Sequence, residues 1–193
     1  WGGFAEHAAR TRGVHVTGIT LSNAQLQYAR QRIADAGLAP LVDLQLIDYR
    51  DIRGQFDHVV SIEMFEAVGE RFWPVYFRSL NDRLKPGGRA VVQAITIAEE
   101  AFARYRETSD FIREYIFPGG MLPSPEVFER RAASADFSVL DHHAFGSDYA
   151  RTLAQWHRNF DAAWPDIAAQ GFDERFRRLW RFYLAYCEAG FRS

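Results

Sequence analysis

One stretch constrains this chain more than any other. The run Phe56-Asp57-His58-Val59-Val60-Ser61-Ile62 is followed at once by Glu63-Met64-Phe65-Glu66-Ala67-Val68-Gly69. A short apolar run of this kind reads as a buried strand. The two acids, three residues apart, therefore fall where the C-terminal end of that strand turns into a helix. In open α/β sheets ligands bind at that edge, and a carboxylate there can face a cation or move a proton. The same acids can also be first-turn residues that complement the dipole of the next helix. Both readings stand at this point.

The surrounding pattern alternates strand and helix. Gly13 to Gly18 is a short strand candidate. Ser22, with Gln25 three residues on, has capping-box spacing and opens a helix whose apolar face is Leu26, Ala29, Ile33 and Ala36, with Gly37 to end it. Val42 to Ile47 alternates as a strand. After the Phe56–Ile62 strand comes a helix over about 71–84, then Lys85-Pro86-Gly87-Gly88, which stops it and leads into a strand over 90–97. This order predicts a parallel sheet covered on both faces.

From Glu99 onward the pattern turns helical. Residues 99–116 read as one helix and 117–123 as a Pro/Gly-rich loop. Ser124-Pro125 opens a further helix, 137–143 reads as a strand, and 149–168 and 172–190 read as long aromatic helices. The fold class expected is α/β: one domain with a helical insertion between its later strands.

Composition excludes several functions. The 23 basic and 25 acidic residues give a net charge of −2, which does not suggest a nucleic-acid partner. Cys187 stands alone, so no intramolecular disulfide is expected, and a packed helix position is its simplest role. No apolar run approaches the ~20 residues of a membrane span. His142-His143 lacks a third ligand at suitable spacing, so no metal site is expected.

Four strand ends could build a nucleotide-type site. Gly2-Gly3 resembles the tail of a glycine-rich turn. Thr20-Leu21-Ser22 follows the second strand, without the acid that a dinucleotide-binding fold places there. Asp48-Tyr49-Arg50-Asp51 follows the third strand, where an Asp could hydrogen-bond an adenine amino group. Glu63 and Glu66 follow the fourth.

Ile62-Glu63-Met64-Phe65-Glu66-Ala67-Val68-Gly69, Leu84-Lys85-Pro86-Gly87-Gly88, Gly18-Ile19-Thr20-Leu21-Ser22 and the C-terminal Tyr183 to Arg192 together resemble the cyclopropane-fatty-acyl-phospholipid synthase family. That family includes the mycolic acid cyclopropane synthases. The resemblance extends over essentially all 193 residues. It implies a class I, Rossmann-like methyltransferase sheet of seven strands, with the first and last strands absent from this segment. It also implies S-adenosylmethionine as cofactor, bordered by Gly2 and Gly3. Thr20, Leu21, Ser22 and Gln25 would lie on its ribose and methionine side, and Asp48, Tyr49, Arg50 and Ile62 at its adenine. The substrate implied is an unsaturated phospholipid acyl chain, handled by a cytoplasmic enzyme in peripheral contact with the inner membrane surface. A homodimer is left open.

Methyl transfer to an alkene leaves positive charge on the chain, and a ring closes only if a proton then leaves the new methyl group. That asks for a dry pocket, aromatic faces and a small base held in place. By resemblance the base is a bicarbonate ion held by Glu66, the backbone of Ile95 and Tyr149, with Gln93 as a further donor. A Glu accepting the hydrogen of bicarbonate would leave its other oxygens free to take the proton. Gln93 and Ala67 stand where the family often has His. Gln93 can donate but cannot relay a proton, which leaves acyl methylation without ring closure as an alternative. N-methylation of a small amine is another, since Glu63 and Glu66 could bind an ammonium.

Overall fold

A computed structural model describes residues 1–192. The described residues divide into two compact units: 1–65 with 70–94, and 66–69 with 95–192.

The first unit carries the strands. It runs α1 (Gly3–Arg12), β1 (Val16–Thr20), α2 (Asn23–Asp35), β2 (Val42–Leu46), β3 (Phe56–Ile62), a 3-10 turn (Glu70–Phe72), α4 (Trp73–Arg83) and β4 (Leu84–Gln93). The α/β alternation expected from the sequence is present, and both strand pairings are parallel. The sheet differs from the expectation, because β1 pairs with β2 and β3 with β4 as two separate ladders. Nor are both faces covered: Val60, Ile62 and Val91 stay exposed.

Two apolar clusters hold this unit. Ala5 and Ala9 of α1, Ile33 of α2 and Val42 of β2 form one, with Val16, Leu38, Leu41 and Leu44 packed around them. The other is aromatic. Phe65, Trp73 and Tyr76 are fully buried; Phe65 stacks on Trp73 at 5.1 Å and meets Tyr76 edge-on at 5.0 Å. Such pairs add about 0.5–1.5 kcal/mol each beyond area burial. Phe65 thus anchors the segment between the two acids of the opening motif.

The Lys-Pro-Gly-Gly stretch is not a turn before a strand but a bulge within one. Leu84 already pairs with Phe56, the register slips, and pairing resumes at His58 with Arg89. A Cβ on Gly88 would lie 2.8 Å from the Asp57 carbonyl oxygen, so only glycine allows this approach. Lys85 Nζ donates to both oxygens of Asp57 at 2.9 and 3.0 Å across the bulge.

The second unit is helical: α3 (Phe65–Val68, from Glu66 on), α5 (Glu99–Glu107), α6 (Phe111–Tyr115), α7 (Pro125–Ala133), α8 (Gly146–Ala162), α9 (Trp164–Ala169) and α10 (Glu174–Arg192). The single helix expected over 99–116 breaks at Thr108, because Asp110 caps a new one by accepting from Arg113 N–H at 2.9 Å. The strand expected over 137–143 does not form. Val139 and Leu140 are exposed, and among the described residues no strand pairs with the segment, so its backbone groups have no ladder to join. The expected helix over 149–168 is two, α8 and α9. These two pieces meet at Ala163, with Pro165 in the first turn of α9. α8 and α10 pack antiparallel: Tyr149 meets Phe191 at 4.6 Å at one end and Phe160 meets Phe176 at 6.3 Å toward the other. Cys187 is half-buried on α10, and burial pushes its thiol up to about 11.

Candidate active site

In the first unit, the residues expected at the cofactor lie where strands end and helices begin. Gly2 is the N-cap of α1 in a left-handed conformation with φ 81°, and a Cβ there would stand 3.0 Å from that of Ala29. Gly3 is the first residue of the helix. The α1 helix thus starts tight against α2, an approach that any side chain at position 2 would block.

At the end of β1, Thr20, Ser22 and Gln25 form one relay. Ser22 N–H donates to Thr20 Oγ1 at 3.1 Å, and the Thr20 hydroxyl donates to Gln25 Oε1 at 2.8 Å. Ser22 Oγ accepts from Gln25 N–H at 3.3 Å and caps α2. The expected capping box is therefore closed through Thr20 and not directly by Gln25. This fixes Gln25 Oε1 and leaves its side-chain NH2 to donate. Leu21 between them is exposed, an apolar surface at the strand end.

After β2, Asp48 and Arg50 form a fork: Nε to Oδ1 at 2.9 Å and Nη2 to Oδ2 at 2.7 Å, with the Arg50 N–H also on Oδ1. The guanidinium holds the Asp48 carboxyl below the ordinary carboxylate range. The acid expected to meet an adenine amino group is thus already shaped and charged by Arg50. Tyr49 meets Tyr76 edge-on at 6.0 Å, and Tyr76 Oη donates to Ser61 Oγ at 2.7 Å. These contacts tie the loop after β2 to the end of β3. Neither Ser61 nor Tyr76 was singled out by sequence; their contact spans 15 positions and carries no local signal. Ile62 at the end of β3 is exposed, as an apolar platform for a base requires.

Glu63 and Gln93 close the ends of β3 and β4. Glu63 N–H donates to the Gln93 carbonyl at 2.9 Å, and Gln93 Nε2 donates to Glu63 Oε1 at 2.8 Å. Gln93, expected among the base-holding residues, donates its amide to Glu63. The backbone of Glu63 is left-handed, φ 50°. That conformation costs a non-glycine residue roughly 1–2 kcal/mol.

In the second unit, Glu66 is fixed at the start of its helix. Its Oε1 accepts the main-chain N–H of Ile95, and its carbonyl accepts from Met121 N–H at 2.9 Å. The loop over 117–123 lies against this segment, with the Gly119 carbonyl 3.4 Å from where a Cβ on Gly69 would be. Ile97 N–H donates to the Pro123 carbonyl at 2.9 Å. Fully buried Ser124 donates to Glu99 Oε1 at 2.7 Å, another contact that sequence did not reveal. Glu66 and Ile95 are brought together as expected. Tyr149 sits half-buried in the first turn of α8 against Phe191.

A family model described as mycolic acid cyclopropane synthetase matches residues 1–193. The chain is 44% identical over 194 residues to the tuberculostearic acid methyltransferase UfaA1 of Mycobacterium tuberculosis, covering all of this chain and 45% of that protein. It is 38% identical over 193 residues to the cyclopropane-fatty-acyl-phospholipid synthase of Escherichia coli, covering all of this chain and 48% of that one. The chain spans about half the length of the curated relatives it matches. Among solved structures, mycolic acid cyclopropane synthase CmaA1, determined with SAH and CTAB, superposes with a TM-score of 0.85 at 27% identity. That match covers all of this chain and 70% of the solved one. The α/β methyltransferase fold expected from the resemblance is borne out.

Proposed function

This chain belongs to the mycolic acid cyclopropane synthetase family, and on that premise we propose that the protein transfers a methyl group from S-adenosylmethionine to the double bond of an unsaturated phospholipid acyl chain, closing a cyclopropane. The observation that carries the reading is the fixed carboxylate of Glu66, held by the Ile95 main chain in the segment that most specifically marks the family.

The strand-end residues suit the cofactor. Gln25 keeps its amide hydrogens to donate, Asp48 is held anionic by Arg50 to accept, and Leu21 and Ile62 offer apolar surface. When bound, S-adenosylmethionine supplies an electrophilic methyl group. For bicarbonate the residues taken to hold it are Glu66, Ile95 and Tyr149: the Ile95 N–H, which now donates to Glu66, would turn to the ion together with the Tyr149 hydroxyl, and the Glu66 carboxylate would take the hydrogen that the ion carries. Glu66 then orients the base, and the aromatic side chains of α8 and α10 exclude water from the acyl chain.

A specific observation favours a second reading, acyl methylation without ring closure. The amide of Gln93 donates to Glu63, and an amide, unlike an imidazole, cannot relay a proton. Proton spectra of acyl chains recovered after incubating the full-length protein with S-adenosylmethionine and unsaturated phospholipid vesicles separate the two. Cyclopropane methylene signals support the first reading and a branched methyl the second. Unmodified chains contradict both.

A further inference from the structure

Glu63 is one of the two acids that open the most informative motif, and the proposed chemistry gives it no part. It is exposed, it has the left-handed backbone that side chains disfavour, and its carboxylate accepts from the Gln93 amide. A glycine would adopt φ 50° without strain. A strained residue kept in place by a reciprocal pair of hydrogen bonds points to a side chain that is needed there.

We propose that Glu63 is a positioning residue: its clasp with Gln93 locks the turn between β3 and α3 from which Glu66 projects. The same two chain segments are tied twice. Glu63 is bound to Gln93 through main chain and side chain, and three residues on Glu66 is bound to the N–H of Ile95, two residues beyond Gln93. Between the ties, Phe65 is fully buried and stacked on Trp73, so the turn has little slack. Opening the clasp frees the segment before Phe65 to swing and lets the Glu66–Ile95 bond loosen. The clasp needs an acceptor at position 63, not a charge, because the Gln93 amide donates to any oxygen placed there.

Two variants of the full-length protein test this. Glu63→Gly removes the side-chain half of the clasp and the backbone strain together while keeping the main-chain bond to Gln93; Glu63→Gln keeps an accepting oxygen. Hydrogen exchange at the Ile95 amide reads the Glu66 bond directly and does not depend on what the enzyme methylates. We expect Glu63→Gly to melt no lower than wild type, to exchange at Ile95 about tenfold faster, and to lose about tenfold in kcat with little change in KM for S-adenosylmethionine. Glu63→Gln should restore slow exchange and most of the turnover. A residue that merely stabilised the fold would instead lower the melting temperature in Glu63→Gly and leave Ile95 exchange and kcat alone. Unchanged Ile95 exchange in Glu63→Gly overturns the proposal. The kinetic arm rests on the acyl-methylation reading: a wild-type protein that modifies no lipid refutes that reading, while the exchange arm still decides the clasp.

Discussion

The main-chain N–H of Ile95 donates to Oε1 of Glu66, joining residues 29 positions apart in sequence. This bond makes Glu66→Gln an informative variant. The glutamine Oε1 can still accept from Ile95, so the geometry is retained while the negative charge and its capacity to accept a hydrogen from a bound acid are lost. Turnover should fall by at least about a hundredfold, with S-adenosylmethionine affinity near that of wild type by titration calorimetry. Weak cofactor binding in this variant would place Glu66 at the nucleoside and overturn its assignment.

Bicarbonate gives a second prediction. In buffer stripped of carbon dioxide, methyl transfer by the full-length protein should slow, and it should recover when bicarbonate is added back. A rate indifferent to the ion would mean that another base operates.

Tyr76 tests the support beneath the strand-end loops. It is fully buried, and its hydroxyl donates to Ser61, itself largely buried. Tyr76→Phe keeps the aromatic packing on Phe65 but leaves the Ser61 oxygen short of a partner, a loss of about 1–3 kcal/mol. Denaturant unfolding with an unchanged slope checks this. A change within error would show that Ser61 finds another partner.

Asp48 predicts a pH dependence. Its side-chain hydrogen bonds to Arg50 lower the carboxyl pKa in the fold, so its contribution to stability is fully present above the unfolded Asp value of about 4 and is lost as pH falls through the lower, folded value. The melting-temperature gap between wild type and Asp48→Asn should be constant near neutral pH and shrink below about pH 4. A gap that widens on acidification would contradict the sign.

What the sequence revealed follows physical range. The β3 run, the α2 helix with its Ser22 cap and the α/β alternation were legible because each rests on contacts within a few residues. The α1 helix was missed because its buried side chains are two alanines, Ala5 and Ala9, and no side chain caps it. The Pro-Gly bulge in β4 hides a strand that begins earlier, at Leu84, because that pairing is with Phe56, far away in sequence. At the site, the Asp48–Arg50 fork spans two positions and could have been read locally. The bonds from Glu63 to Gln93 and from Glu66 to Ile95 span 30 and 29 positions, too far apart for a local pattern to carry them. The resemblance named Glu66, Ile95 and Tyr149 together; the residues alone did not.

The central claim is that an acyl chain receives the methyl group. The most direct measurement supplies the full-length protein with methyl-labelled S-adenosylmethionine, unsaturated phospholipid vesicles and a small secondary amine in the same tube, and counts label in each acceptor. The account predicts label in the acyl chains of the lipid and none on the amine. Label on the amine, with the lipid unmodified, would contradict it.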